Sequence, residues 1–419
     1  MKKGIKPFTL FLSIFILIYI VIGTKIFIMN SNKNGQWYNE DQELKPKWTG
    51  VITLWDIPYI ETGTASNANW LNARVEKFER ENPGVFIDVR RLTPQRAQMY
   101  FLGNADKDIL PDIISIPVYE DFVPLSLYED LRPYFQDEEL NRILPLAQRP
   151  VIKDNTMKSV PIMMGTYALF FNNEMLQEQE IAIEDSEVDF ETLDRIIKRL
   201  SYVKKENKKE IQYYGFGSYN SIYSKPIISM VYNQSGKIKE DIGYRYINSW
   251  VNGESLVPEN LGNLDSSRAI RLFVDEKRIG VFLGNTRTLY KVREAQAQGK
   301  GFNLGIYSLP MEGKDGLLQD QIVSYGLIKN DDEIKKYYCI AFLKSLLSEE
   351  AQRELNKIGM FPIIKDIESI YENDPEMHML EQNLTSFIYS PDEKFWQIHK
   401  YEIMDILEPK SEGDSDILD

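Results

Sequence analysis

Thr49-Gly50-Val51-Ile52-Thr53-Leu54-Trp55, the run over 69–82 and Val85-Phe86-Ile87-Asp88-Val89 together decide the fold. The two outer stretches are rich in β-branched and apolar residues and read as strands. Between them Trp70, Leu71, Val75 and Phe78 recur at helical spacing, and Asn82-Pro83-Gly84 ends the helix. Strand, helix and strand within about forty residues make a βαβ unit, which requires a parallel sheet. Residues 109–116, with Ile113-Ile114-Ser115-Ile116, supply a further buried strand, so the first part of the chain is an α/β sheet.

Further along, 160–172 is a long apolar run with Gly165 in its middle, which marks a place where the chain leaves one lobe for another. Helices are expected at 189–204, 266–277, 334–347, 377–384 and 395–407, and strands at 302–310 and 321–328. No internal repeat or low-complexity block is present. Gly215-Phe216-Gly217 lacks the third glycine of a phosphate-cradling loop.

The N-terminus has a different character. Lys2, Lys3 and Lys6 precede an uncharged stretch from Phe8 to Thr24, and Ile26-Phe27-Ile28-Met29 extends it beyond Lys25. About 22 apolar residues make a helix near ~33 Å long, enough to cross a bilayer core. The basic end is expected to stay in the cytoplasm and everything after Asn30 to lie outside. Positions 20–35 hold no alanine and no cysteine follows the apolar core, so neither a cleavage site nor a lipid anchor is evident. The expectation is an uncleaved signal anchor over 1–30 and a polar tether over 31–47. The remaining chain, roughly 370 residues, suits two lobes better than one core.

Composition narrows the function. Net charge is −14, from 63 acidic and 49 basic residues, which argues against nucleic acid as a partner. The single cysteine, Cys339, lies in an apolar helical stretch and reads as a buried, inert thiol. With His378 and His399 the only histidines, no Cys/His metal cluster can form, and no metal or cofactor is expected.

In this order the pieces resemble the extracellular solute-binding proteins of ABC importers, the group that contains maltose-binding protein. Four stretches carry the likeness: Phe78-Glu79-Arg80-Glu81-Asn82-Pro83-Gly84-Val85; Leu110-Pro111-Asp112-Ile113-Ile114; Val160-Pro161 through Phe171-Asn172-Asn173-Glu174-Met175-Leu176; and Ala341-Phe342-Leu343-Lys344 with Ser348-Glu349-Glu350-Ala351-Gln352 and Gly359-Met360-Phe361-Pro362. The family's lipobox cysteine is missing, and Phe282–Leu289 keeps its "F-x-x-G-K-A-A-M" only in part. The resemblance implies a periplasmic-binding-protein-like α/β fold, two lobes joined by several hinge crossings. Lobe one would be 48–163 with 325–370, lobe two 164–323 with 371–408, and 409–419 an acidic tail. It also implies a carbohydrate ligand, transmembrane permease subunits as partners, membrane attachment through the N-terminal helix and a monomeric receptor.

Candidate ligand-binding residues follow from the chemistry of sugars, which present an apolar ring face and many hydroxyls. Trp396 matches a C-terminal helix whose tryptophan stacks on sugar in the resembled family. Tyr325 falls at a strand crossing between lobes, and Gly165, Thr166 and Tyr167 lie in the first crossing. Asp56 and Glu61 follow the first strand, at the edge where α/β sheets bind ligands; Glu120 and Asp121 follow the third. Arg287 is a clamp for a hydroxyl pair or an acidic group, and Tyr223 a further aromatic surface. The competing role for each is a core or solvated side chain.

Two other function classes compete. A glycoside-active enzyme would need a carboxylate pair across a scissile bond, but no nucleophile elbow or His-Glu-x-x-His is present. No catalysis is expected. A receptor of the same fold that reports to a sensor kinase would differ only in its partner.

Overall fold

The computed structural model describes residues 47–102, 109–117, 123–183, 188–206, 208–218, 240–253, 256–258, 266–310, 317–318, 321–384 and 387–388. The elements that follow belong to one unit that begins at Thr49. In chain order they are β1 (Gly50–Asp56), α1 (Ala68–Glu81), β2 (Val85–Arg91), α2 (Pro94–Leu102), β3 (Ile113–Ile116), β4 (Val160–Met164), β5 (Tyr167–Asn172), α3 (Phe190–Arg199), β6 (Tyr202–Glu206), β7 (Lys209–Ser218) and α4 (Ile242–Val251). Then come β8 (Ile279–Asn285), α5 (Thr286–Ala297), β9 (Leu304–Tyr307), β10 (Ile322–Leu327), α6 (Glu333–Ser345), α7 (Glu349–Arg353) and α8 (Pro375–Asn383).

The strands form two mixed sheets of five, ordered β2-β1-β3-β10-β4 and β9-β5-β8-β7-β6. In the first, β1 runs parallel to both β2 and β3, as the βαβ reading requires, while β10 is antiparallel to β3 and β4. Trp70, Leu71, Val75 and Phe78 of α1 are all buried. The Trp70 indole donates to the Ala351 carbonyl at 2.9 Å, and Phe78 meets Phe342 of α6 edge-on at 5.3 Å. Gly84, at φ +99°, makes the turn into β2 that a side chain would strain.

The apolar run 160–172 is two strands in different sheets. β4 ends at Met164 in the first and β5 begins at Tyr167 in the second, with only Gly165 and Thr166 between. Every residue of β5 and of β8 is buried. The chain returns to the first sheet at Ile322.

One predicted element changes type. The helix expected over 189–204 stops at Arg199, and Tyr202–Glu206 is a strand paired with β7. Ser201 makes the switch: its hydroxyl donates to the Ile197 carbonyl at 2.9 Å and accepts from Gly215 N at 2.9 Å. Tyr202 then stacks on Tyr213 at 4.8 Å, a cross-strand pair that outweighs helix propensity. The 266–277 segment is helical but opens into a π turn over Arg271–Asp275. Cys339 is fully buried, and burial pushes its thiol well above the ordinary value, in line with an inert side chain. The expected anchor over 1–30, the helix over 395–407 and the acidic tail lie outside the described residues; among those described, no helix is long and apolar enough to cross a membrane.

Candidate functional site

The parallel strands of the first sheet bring three chain ends to one edge: Asp56 closes β1, Arg91 closes β2, and Ser115 and Ile116 close β3. With β2 on one side of β1 and β3 on the other, their outgoing connections part and leave a crevice there. A cavity of about 350 Å³ opens at this point, lined by Asp56, Tyr59, Asn67, Arg91, Ser115 and residues 322–324 at the start of β10.

Asp56 is 5% exposed and is held on several sides. Its Oδ1 accepts the Tyr325 hydroxyl at 2.8 Å and Asn67 Nδ2 at 3.2 Å, and its Oδ2 lies 3.6 Å from Arg91 Nε. Tyr325 is fully enclosed, and burial together with the Asp56 charge keeps its phenol protonated far above the ordinary range. Tyr325 therefore acts as a donor that orients Asp56, while the carboxylate lines the cavity.

A second cavity of about 360 Å³ lies between the loop that leaves β1 and the helices of the second sheet. Glu61 faces Arg287, Lys291, Glu294, Arg271 and Asp275 across it. Asn285 caps α5 by accepting from Arg287 N at 2.9 Å, and Arg287 Nη1 reaches across to the Gly63 carbonyl at 3.2 Å. Burial raises the Glu61 carboxyl above its ordinary value, opposed by the neighbouring Arg287. Among the described residues, the buried Glu61 Oε2, Thr62 Oγ1 and Thr286 Oγ1 have no hydrogen-bond partner.

The crossing itself is tied by side chains. Gly165 N donates to the Gln321 carbonyl at 2.7 Å, and Gln321 Nε2 donates to the Tyr167 hydroxyl at 2.7 Å. A Cβ at Gly165 would stand 3.3 Å from Gln321 Oε1, so the chain passes here at close range. Thr166 and Tyr167 are buried within this crossing.

The structure thus brings Asp56 together with Tyr325, sets Glu61 opposite Arg287, and places Gly165, Thr166 and Tyr167 in the connection between the sheets. Trp396, Tyr223, Glu120 and Asp121 lie outside the described residues. Sequence reading missed Asn67, Arg91, Ser115 and Gln321, which surround the predicted residues. Arg91 and Ser115 were findable: both sit at strand ends beside Asp56 once a parallel order is assumed. Among the described residues, no group of three or more His, Cys, Asp or Glu converges as a metal site.

No family model matches the chain, and no curated protein matches it in sequence. Solved structures match it closely in shape. The fold is of the periplasmic-binding-protein type, α/β with two separate mixed sheets. The GacH receptor of Streptomyces glaucescens, solved unliganded and with acarbose, superposes with a TM-score of 0.63 at 16% identity, covering 87% of this chain and 95% of that one. Maltose-bound MalE3 of T. maritima gives 0.65 at 17% identity, with 86% and 95% covered. An ABC substrate-binding protein from Listeria monocytogenes in complex with cycloalternan gives 0.63 at 13% identity, with 87% and 95% covered. At such identities the likeness establishes the fold.

Proposed function

We propose that this chain is the extracytoplasmic binding component of an ABC importer, capturing a carbohydrate and delivering it to the permease by closure of its two lobes. Lobe one comprises 48–163 and 325–370, lobe two 164–323 and 371–408, and the ligand is taken at the sheet edges that carry Asp56, Glu61 and Arg287. The observation that carries the reading is the pair of cavities that flank the loop leaving β1. They combine carboxylates and guanidinium groups suited to sugar hydroxyls, on a fold whose solved relatives hold maltose, acarbose and cycloalternan. Binding without reaction is the role: the neighbours in structure are receptors, and Asp56 is oriented by Tyr325 and Asn67 as a fixed acceptor. The receptor works as a monomer held at the outer face of the membrane by its N-terminal segment.

Ligand favours closure by its higher affinity for the closed form. A thermal-shift screen of residues 48–419 against malto-oligosaccharides, cyclic glucans, acarbose and polyols tests this. A sugar that binds only the folded chain must raise its melting temperature, by an amount that grows with concentration. A folded chain that responds to none of them, and to which no sugar binds by calorimetry, would overturn the carbohydrate reading.

A further inference from the structure

The loop that leaves β1 does more than line two cavities: at Gly63 it packs against the backbone of Gly359 on one side and against the ring of Tyr290, on α5 of the second sheet, on the other. A Cβ at Gly63 would stand 2.9 Å from Gly359 Cα and 2.9 Å from Cδ2 and Cε2 of Tyr290. The reverse holds at Gly359, where a Cβ would lie 2.8 Å from Gly63 Cα. Gly359 has φ +68° and ends the 3-10 turn Glu354–Ile358, so it is fixed by conformation as well as by space. Gly63 has no such φ, and only packing demands its bare backbone.

Each partner is anchored. Thr64 N donates to the Ile358 carbonyl at 3.3 Å, and Arg287 Nη1 donates to the Gly63 carbonyl at 3.2 Å. Further along α5, Arg293 is gripped by Asp374 at 2.7 Å and by Glu376 at 2.8 Å, which sets the helix carrying Tyr290. The segment after Gly359 bridges to the crossing: Phe361 N donates to the Met164 carbonyl at 2.8 Å, one residue before Gly165. A contact between the sheets and the hinge that joins them therefore share one short segment.

We propose that Gly63, seated between Tyr290 and Gly359 and tied by Arg287, is an interlobe clasp that sets how much of the ligand-free molecule is closed. The clasp rests on the two-lobed, closing receptor argued above and adds a regulator of its binding site. A side chain at position 63 would have the Gly359 backbone of its own lobe behind it and the Tyr290 ring in front, so it must push the loop and that ring apart. Apparent affinity scales with the binding-competent fraction, so a tenfold loss of closed molecules weakens binding about tenfold.

The test needs no ligand. Spin labels at Glu81→Cys and Lys198→Cys report the distance between the lobes by pulsed dipolar spectroscopy, with the fully buried Cys339 left unlabelled. Gly63→Val is expected to move the ligand-free distribution to longer distances, and Tyr290→Leu and Arg287→Gln to move it the same way by less. Should Gly63→Val fail to fold, the latter two carry the test. Distributions unchanged from the parent in all folded variants would overturn the clasp, whatever the sugar screen finds. Variants that open while the parent chain binds no sugar keep the clasp and refute the carbohydrate reading alone.

Discussion

The two sheets are built for different work. In the second, β5 and β8 are buried along their whole length, and aromatic rings fill the space around them: Phe273 stacks on Phe282 at 4.9 Å, and Phe216 meets Trp250 at 5.1 Å. The first sheet is open at its edge, where the paired residues Val51 and Phe86 are 52% and 55% exposed. At its other end it holds a polar network, the buried Asp56 and Tyr325 with the half-buried Asn67 and the exposed Arg91. The second sheet offers the cavities only what its helices carry, such as Arg287 on the first turn of α5. Stiffness and recognition are thus assigned to different strands, and substitutions in each should fail in different ways.

The sharpest break of that contrast lies in the second sheet. Phe282→Ala removes a ring that is wholly enclosed and stacked, leaving a cavity that neighbouring strands cannot fill. A loss of about 3–5 kcal/mol is expected by denaturant titration, with little change in sugar affinity for the molecules that remain folded. An affinity loss as large as the stability loss would show that this sheet recognises ligand as well as supporting it.

Tyr325→Phe is the counterpart in the first sheet. It keeps the ring and deletes the donor to Asp56, leaving a buried carboxylate supported by Asn67 and by Arg91 at 3.6 Å. Stability should fall by about 1–3 kcal/mol, the usual cost of stripping a buried charged acceptor of one partner. Here affinity should fall as well, because Asp56 loses its fixed orientation. Isothermal calorimetry with the best sugar from the screen separates the two effects. A variant with full affinity would reduce Tyr325 to a packing role.

Much of this contrast is legible in the residues, and unevenly so. The βαβ unit is, because Trp70, Leu71, Val75 and Phe78 keep a helical period between two β-branched runs. So is the crossing at Gly165, since a glycine deep inside the apolar run 160–172 has few other uses. Periodicity fails at 200–206, where Ser201 turns the chain and Tyr202 finds Tyr213: the strand is made by its cross-strand partner rather than by its own pattern. The site reads from sequence as single residues, Asp56 and Glu61 by their position after a strand, Arg287 by its charge. Their partners are hidden because Tyr325 reaches Asp56 across 269 positions and Arg287 reaches Gly63 across 224. The glycine pair Gly63 and Gly359 leaves no pattern at all, for packing at backbone range has no period.

The smallest expected effect falls on Glu61, which belongs to the first sheet by its loop but faces the second. Burial raises its carboxyl above the ordinary value, so the folded chain prefers it protonated. The stabilising contribution is then complete below the unfolded value and is lost as pH rises through the raised folded value. As pH rises, ionisation of this partly unsatisfied carboxyl increasingly opposes folding, and at pH 7 Glu61→Gln should raise the melting temperature by about 1–2 °C. At pH 4 the gap between the two proteins should close, because the parent carboxyl is then largely neutral. Ligand reverses the preference: a hydroxyl that donates to the unpartnered Oε2 favours the ionised form, so parent affinity should strengthen from pH 4 to pH 7. A glutamine side chain cannot ionise, so the affinity of the Glu61→Gln variant should lose that slope. Parallel pH slopes in the two proteins would place the ligand away from Glu61 and leave Asp56 and its network as the principal reader of the sugar.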